Sequence, residues 1–425
     1  MNNIQQISDN FLCSACGACN AICAREAITL KFSNIGRKYA QVDSDKCTGC
    51  GLCQKVCPSI DRLGLHKKYE DPFVGNILNT YIGHANDELI YKNAQSGGLC
   101  TAILCYLFDT GKIDGAIVCK MSFGDTPIVE GILAENKEQV IDCQKSCYTP
   151  VDVLSALKQA KDKKSLAVVG LPCHIEGAVH LADISKRFTN IKYKIGLICD
   201  RTLCAGIMDV MKSYTSANKI RIEWRKKNFT YKSKNYNYSI APVVVTGDDN
   251  REYLMPKNYR MCLKDYFTAP RCRVCYDKLN THADIVLGDP WGMSKYNKEK
   301  GDSVAISRTA LGEDLLCQMS KDNIISLNLQ RDAQEVLLGQ HIDARRESVN
   351  VFSCSLKSIA KDNSVNSYVI TDGKSSTLNV NILTSFVQNE KQPKEDILRK
   401  ARSIVKEKNP NIWMKIMNRI KRLLK

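Results

Sequence analysis

Residues 13–23, CSACGACNAIC, and residues 47–58, CTGCGLCQKVCP, repeat one cysteine spacing within a single chain. The first three cysteines of each run follow C-x2-C-x2-C, which lets one tight loop place three thiolates on three iron atoms of a 4Fe-4S cubane. Where two such runs share a small domain, the fourth cysteine of each ligates the other cluster, because the two loops pack around a pseudo-twofold axis. The spacing therefore predicts one cluster on Cys13, Cys16, Cys19 and Cys57, and a second on Cys47, Cys50, Cys53 and Cys23.

A pair of structural zinc sites is the alternative, because zinc held by four cysteines also uses C-x2-C. Zinc gives no reason for the third cysteine of each run or for the three-residue step that follows it. Pro58 follows the fourth cysteine of the second run, whereas Ala24 occupies the same position after the first. The segment from about residue 5 to 64 resembles a bacterial-type two-cluster ferredoxin, which implies an α+β, ferredoxin-like fold for residues 1–66.

Length and composition predict a globular protein of two or three domains, since the chain has 425 residues with 44% hydrophobic content. The N-terminus, MNNIQQISDN, lacks the basic start and apolar run of an export signal, and no apolar run reaches the length of a membrane span. We therefore expect a cytoplasmic protein. In a reducing compartment the 21 cysteines favour metal sites over disulfides.

A charged joint that contains proline, HKKYEDPFVG, follows the cysteine-rich part, and we expect a linker over residues 67–79. Beyond it, helices alternate with short apolar strands, of which the first is expected at 115–120. Further strands are predicted in SLAVVGLPC, KYKIGLICD and ADIVLGDPWG, and helices in VDVLSALKQAKDK and HIEGAVHLADISKRF. This alternation predicts a larger α/β domain with a core sheet over residues 80–340.

Four more cysteines could be gathered at one edge of such a sheet. Cys173 and Cys199 end two predicted strands, and Cys272 and Cys275 form a CxxC just before the last strand. A third cluster is one interpretation, and small buried hydrophobic side chains are the other. Cys204 is a competing ligand for the place of Cys199.

Five blocks in order resemble the family of coenzyme F(420) hydrogenase and dehydrogenase beta subunits over about residues 80–340. The blocks are SGGLCTAILCYLFDTGKIDGAIV, VVGLPCHIEGAV, IGLIC, RCRVCYDKLNTHADIVLGDPWG and GDSVAISRTALGEDLL. The resemblance implies FAD and a third 4Fe-4S cluster on Cys173, Cys199, Cys272 and Cys275. It also implies a flavin-binding role for the α/β domain.

The resemblance implies that the flavin lies beside a glycine-rich turn that opens a helix. Free N–H groups at a helix start suit a pyrophosphate, although most such turns are only helix starts. The residues expected at the flavin are Ser96, Gly97, Gly98, Thr101, Tyr148, His174 and Asp289. His174 could donate a proton or be purely structural, and no catalytic residue is assigned. Cys147 stands where the family frequently has lysine, which puts the usual substrate in doubt.

The predicted function is electron transfer between the clusters and FAD, with hydride exchange to coenzyme F(420) or another two-electron acceptor. The chain would then be an F(420)-reductase-like enzyme that serves a redox partner protein or a small hydride acceptor or donor. A non-enzymatic electron-transfer protein is the alternative, and FAD content discriminates the two. The net charge of +16 invites a nucleic-acid interpretation, but three clusters and FAD lower it to about +8, and no DNA-reading motif is present.

The C-terminal extension, residues 341–425, ends in a basic amphipathic stretch, NPNIWMKIMNRIKRLLK. Apolar residues recur there at helical spacing among five cations. Such a helix could lie on an anionic membrane or an acidic partner protein, or it could dock on its own domain.

Overall fold

A computed structural model describes residues 3–60, 70–330, 332–357, 359 and 374–409 of the chain. Its α-helices are α1 Gln5–Asp9, α2 Ala18–Ile22, α3 Leu52–Lys55, α4 Glu88–Asn93, α5 Leu99–Asp109, α6 Lys137–Asp142, α7 Pro172–Ile184, α8 Gly206–Lys212, α9 Tyr259–Phe267, α10 Pro270–Arg273, α11 Ala310–Lys321, α12 Gln334–Gly339, α13 Ile342–Lys357, α14 Thr377–Glu390 and α15 Lys394–Lys408. Its strands are β1 Ile28–Phe32, β2 Lys38–Val42, β3 Asn79–Ala85, β4 Gly115–Ser122, β5 Ile128–Ala134, β6 Leu166–Gly170, β7 Ile191–Leu197, β8 Ile220–Glu223, β9 Phe229–Tyr231, β10 Lys234–Tyr236, β11 Val244–Gly247, β12 Glu252–Leu254, β13 Ile285–Gly288, β14 Ser303–Ser307 and β15 Ile325–Gln330.

The cysteine-rich part repeats one local structure, as its sequence does. In each run a glycine with positive φ precedes a short helix: Gly17 at 89° before α2, and Gly51 at 75° before α3. Only glycine adopts this backbone without strain, so the chain can turn sharply between the second and third cysteine of each run. Between the runs, β1 and β2 form an antiparallel hairpin.

An eight-stranded sheet is the centre of the larger part, in the order β15-β3-β14-β13-β7-β6-β4-β5. Its four middle strands, β13, β7, β6 and β4, are parallel, and the flanking strands pair antiparallel to them. All four strands expected from the sequence lie in this parallel centre. The mixed α/β architecture with a large sheet is therefore confirmed.

Two predicted helices differ from their sequence pattern. Residues 153–159 form a 3-10 helix, in which side chains three positions apart share a face. That spacing buries Val153 with Ala156 and Leu154 with Leu157 between neighbouring elements. The second helix, α7, ends at Ile184 because Ser185 is extended and caps a separate 3-10 turn over Lys186–Phe188.

The sequence did not predict the small antiparallel sheets formed by the part of the chain that follows β7 and precedes β13. One contains β12, β11 and β8 in that order, and the other is the hairpin of β9 and β10. These strands are only three or four residues long. Alternation of apolar and polar residues over so few positions does not predict a strand.

The C-terminal extension folds back onto the cysteine-rich part. Arg37, just before β2, pairs with Glu390 at the end of α14 at 2.6 Å, with both side chains about nine-tenths buried. The expected basic helix falls at 409–425, and residues 410–425 lie outside the described residues. The divisions proposed at residues 66, 79 and 340 stay predictions. Among the described residues, no helix is long and apolar enough to cross a membrane.

Candidate functional site

The first predicted cysteine group is brought together, including the cysteine that crosses from the second run. Burial raises the pKa of the Cys19 thiol, and the neighbouring sulfurs of Cys13, Cys16, Cys57 and Cys53 raise it further. Burial likewise raises the pKa of Cys16 to about 12. A thiol this hard to ionise becomes a thiolate when a metal replaces its proton.

Backbone N–H groups point at the sulfurs of both runs. Ala15 and Ala40 each donate to Cys13 Sγ at 3.4 Å, and Ser59 donates to Cys57 Sγ at 3.4 Å. Such bonds stabilise the negative charge of a cluster and tune its reduction potential. The loops are thus preorganised for charged sulfurs.

The second predicted group lies nearer the surface. Burial raises the pKa of Cys53, with the Cys50 and Cys47 sulfurs as charged neighbours, and Cys50 is exposed to solvent. Cys23 packs against the same apolar cluster as Cys53 and accepts a bond from the Ala27 N–H at 3.4 Å. Within the described residues, no group of three or more His, Cys, Asp or Glu side chains is placed to hold a metal ion. Because Cys19 and Cys53, from different predicted groups, are also electrostatic neighbours, the division of the eight cysteines between two clusters stays a prediction.

The third predicted group lines one small cavity. Its walls include Cys173, Cys199, Cys272 and Cys275. Burial raises the pKa of both Cys173 and Cys199, and other thiols of the group add to each shift. Cys204 instead lies fully buried in an apolar cluster, so the arrangement favours Cys199 over Cys204.

Two buried arginines border this cavity. Arg345 donates to the carbonyls of Cys275 and Cys272, both at 2.9 Å, and so fixes the CxxC loop. Burial opposes the charge of Arg271, but the Cys275 and Cys173 sulfurs raise its pKa above the usual value. A cluster with four thiolates carries net negative charge, which these guanidinium groups would offset.

A cavity of about 900 Å³ opens at the carboxyl ends of the parallel strands, where α/β folds commonly bind ligands. Six of the seven residues expected at the flavin line it: Ser96, Gly98, Thr101, Tyr148, His174 and Asp289. Gly97 packs away from the wall, and its N–H donates to Ser303 Oγ at 3.0 Å. A side chain at Gly97 would meet the Gly83 carbonyl oxygen at 2.4 Å, so this glycine is required for packing.

The glycine-rich turn opens α5, as the sequence predicts. Gly98 has a φ of 80° and no side chain with which to cap the helix, and the first turn of α5 lines the cavity. The buried Lys227 ammonium donates to the Ser96 carbonyl at 2.6 Å and to the Lys300 carbonyl at 2.7 Å. Burial, and then the nearby Arg225 charge, lower the pKa of Lys227 to about 8.

His174 has both ring nitrogens engaged. The Leu171 N–H donates to Nδ1 at 3.1 Å, so Nε2 carries the proton and donates to the Val151 carbonyl at 3.0 Å. Burial lowers the pKa of His174 to about 4. These contacts favour the structural role over proton donation, because the single ring proton, on Nε2, is already donated to the Val151 carbonyl and the Nδ1 atom is held by the helix start.

Asp289 is engaged by residues that the sequence did not single out. Its carboxylate accepts from Arg225 at 2.5 Å and from the Tyr238 hydroxyl at 2.9 Å. The Arg225 guanidinium lies 4.9 Å from the ring centres of both Tyr238 and Trp291. A second arginine of the cavity wall, Arg260, lies 4.3 Å from the Tyr148 ring centre.

The cavity wall is strongly basic. It contains two carboxylates, Asp200 and Asp289, and seven cations: Lys145, Arg201, Arg225, Arg260, Lys264, Lys278 and Arg345. Gln95 Nε2 and Arg225 Nη2 are buried and have no hydrogen-bond partner among the described residues. Such an excess of donors and positive charge suits a large anionic ligand.

The two repeated cysteine runs indicate an iron–sulfur protein of the oxidoreductase type, and comparison with known proteins agrees. Residues 12–60 match the model of a 4Fe-4S dicluster domain. Residues 80–158 and 163–332 match the N-terminal and C-terminal models of the coenzyme F(420) hydrogenase/dehydrogenase beta subunit. The chain belongs to this family of beta subunits.

Relatives of the chain match along most of its length. An uncharacterised protein of Methanocaldococcus jannaschii is 31% identical over 78% of this chain and 93% of its own length. One component of the F(420)H(2) dehydrogenase of Methanosarcina mazei is 25% identical, over 81% of this chain and 92% of that component. The coenzyme F(420)-dependent sulfite reductase of M. jannaschii is 27% identical, but the match covers 73% of this chain and 46% of that enzyme.

A solved structure shares the fold. A chain of the F(420)-reducing NiFe hydrogenase complex from Methanosarcina barkeri superposes with a TM-score of 0.50 at 19% identity. The match covers 65% of this chain and 92% of that one.

Proposed function

We propose that this protein transfers electrons between three 4Fe-4S clusters and FAD, and exchanges hydride with coenzyme F(420) or another two-electron acceptor. Support for the first two clusters comes from the dicluster match and from the cysteine neighbourhoods. The proposed third cluster uses Cys173, Cys199, Cys272 and Cys275. F(420) enters the proposal because relatives carry F(420)-linked activities in their names.

The observation that carries the proposal is the position of Cys199. This residue lines both the small cysteine cavity and the large basic cavity. A cluster on the third group would therefore border whatever cofactor the large cavity holds. On the other side of the third group, the Cys16 sulfur is an electrostatic neighbour of Cys173. The order of contacts supports a path from the first group through the third to the cavity.

The residues of the large cavity fit FAD. The unpartnered Gln95 Nε2 and Arg225 Nη2 can donate to it, and the first turn of α5 after Gly98 suits a pyrophosphate. The ring of Tyr148 offers an apolar face on the same wall. Bound FAD would supply the conversion between single electrons and a hydride. Lys227 holds the turn in place, and His174 holds the start of α7.

A redox partner protein is part of the proposal, because relatives include subunits of larger enzymes. The exposed Cys50 marks the side at which electrons would enter or leave the second group. We further propose that residues 409–425 contact an acidic partner or an anionic membrane. Truncation before Asn409 should leave iron and flavin content unchanged and should remove any salt-sensitive sedimentation with anionic liposomes.

The hydride step is tested by mixing the anaerobic holoprotein with reduced coenzyme F(420). Bleaching of flavin and iron–sulfur absorbance together, within one mixing experiment, is the expected result. Absence of bleaching with reduced F(420) and with NADH, in a protein that dithionite still bleaches, would favour the non-enzymatic electron-transfer protein.

A further inference from the structure

Two cysteines outside the three groups meet in the wall of the large cavity. Cys119 lies on β4, and Cys147 lies in the loop that follows α6, 28 residues later. Their Sγ atoms are 3.4 Å apart, with Cys119 donating to Cys147. Both residues line the cavity and are partly exposed.

The loop that carries Cys147 is held on both sides. Lys145 has a φ of 89° and pairs with Glu223 of β8, and the Ser146 N–H donates to Gln95 Oε1 at 2.7 Å. Tyr148 has a φ of 54°, and its carbonyl accepts from the Leu203 N–H at 2.9 Å. Positive φ at two non-glycine residues costs energy, and such strain concentrates at functional sites. The position of Cys147 is therefore fixed by contacts rather than by local preference.

Little movement separates the two thiols from a covalent bond. A disulfide has sulfurs about 2.05 Å apart, so the two sulfurs have to approach each other by about 1.4 Å.

Cys119 is the hydrogen-bond donor of the pair. The hydrogen bond to Cys147 and burial raise the pKa of Cys119 well above its usual value. Lys38 and Asp152, which form an ion pair, and the Cys143 thiol are the other groups that act on this pair. Cys147 is the sulfur that accepts the bond.

We propose that Cys119 and Cys147 form a redox-active dithiol–disulfide pair, a further two-electron centre in the wall of the cavity. On oxidation two S–H bonds break, one S–S bond forms, two protons leave to cavity water and two electrons pass singly to two oxidised 4Fe-4S clusters. Reduction reverses each change. The pair goes beyond the proposed flavin chemistry and rests on the proposed function only in taking 4Fe-4S clusters as its electron acceptors.

The test uses the full chain with its clusters, equilibrated anaerobically in thiol–disulfide buffers of increasing oxidising strength. Free thiols are blocked with N-ethylmaleimide under denaturing conditions, and disulfide-linked peptides are identified by mass spectrometry. Cys119 and Cys147 should oxidise together, in one two-electron transition, and give one linked peptide. A linked peptide that contains Cys143 instead, or none in the most oxidising buffer, would overturn the proposal.

Variants give a second readout. Cys119→Ser and Cys147→Ser should each take up two electrons per chain fewer than the wild type in a reductive titration, at unchanged iron and flavin content. Cys317→Ser is the matched control, because Cys317 is exposed on α11 and lies outside the cavity wall. Equal electron uptake by all four proteins would refute the pair. If the serine variants lose iron, peptide mapping of the wild type still decides the question.

Discussion

Arg271 donates from Nε to Ser59 Oγ at 2.8 Å, and this bond joins the third cysteine group to the first. Arg271 directly precedes Cys272, and Ser59 follows Cys57 by two residues. The Ser59 hydroxyl donates onward to the Leu12 carbonyl at 2.6 Å, next to Cys13. A buried polar bridge thus fixes the spacing of two proposed clusters, and that spacing governs electron transfer between them.

Replacing Arg271 by Gln should make the third cluster harder to reduce. The buried guanidinium offsets the negative charge of the cluster, and Gln keeps polar contact with Ser59 but removes the charge. A redox titration followed by electron paramagnetic resonance should show the third cluster shifted to lower potential, and the first cluster shifted in the same direction, because the Arg271 charge also acts on Cys57. Arg187→Gln, at an exposed surface position, is the control and should shift none. If the cluster potentials of the Arg271→Gln protein equal those of the wild type, the third cluster does not lie beside Arg271.

Cys50→Ser should affect one N-terminal cluster and spare the flavin. Iron should fall from about 12 to about 8 atoms per chain, or to about 11 if the cluster converts to a three-iron form. Cys50 is exposed and lies far in sequence from every cavity residue, so FAD should remain bound. Iron analysis and flavin fluorescence measure both quantities. Loss of FAD along with the cluster would argue against separate binding of the two cofactors.

Cys275→Ser should interrupt the path to the flavin. The variant should lose iron from the third group and slow flavin reduction by the N-terminal clusters, while dithionite still reduces the flavin. Cys204→Ala tests the competing assignment, and it should retain full iron because Cys204 lies in an apolar cluster. Stopped-flow spectroscopy measures the rate. Iron loss in the Cys204 variant with full iron in the Cys275 variant would reverse the assignment.

Flavin affinity should fall as pH rises through about 8. Below that pH the Lys227 ammonium is charged, donates to the Ser96 carbonyl and favours an anion, and above it the amine is neutral. The expected loss between pH 7 and 9 is about tenfold, because the charged fraction of a lysine with a pKa of about 8 falls about tenfold over that range. Fluorescence of released FAD follows the binding. Lys227→Arg stays charged and should remove the pH dependence, so a persisting dependence would assign it to another group.

The sequence predicts the parts of the site that local patterns encode. Cysteine spacing predicts the grouping of Cys57 with the first run, because a tight loop can hold only three corners of a cubane. Cys173 and Cys199 each follow a predicted strand, and the carboxyl ends of parallel strands lie at the same edge of a sheet. The sequence therefore predicts that these two cysteines meet. The glycine-rich turn before α5 is likewise predicted by a few consecutive residues.

Other features depend on contacts between distant segments. Lys227 reaches the carbonyl of Ser96 across 131 positions, from a segment of short strands with weak alternation. Arg225 lies in the same segment, and nothing in its neighbours distinguishes it from a solvated surface arginine. The contact between Cys119 and Cys147 depends on the packing of a strand against a strained loop. The roles of such isolated residues can be recognised only when the fold brings them into contact.

Anaerobic analysis of the purified holoprotein tests the central claim most directly. Three 4Fe-4S clusters and one flavin predict about 12 iron atoms, about 12 acid-labile sulfides and about one FAD per chain. About eight iron atoms with full FAD would remove the third cluster from the account. Zinc in place of iron, or a fully iron-loaded chain without flavin, would contradict the iron–sulfur flavoprotein itself.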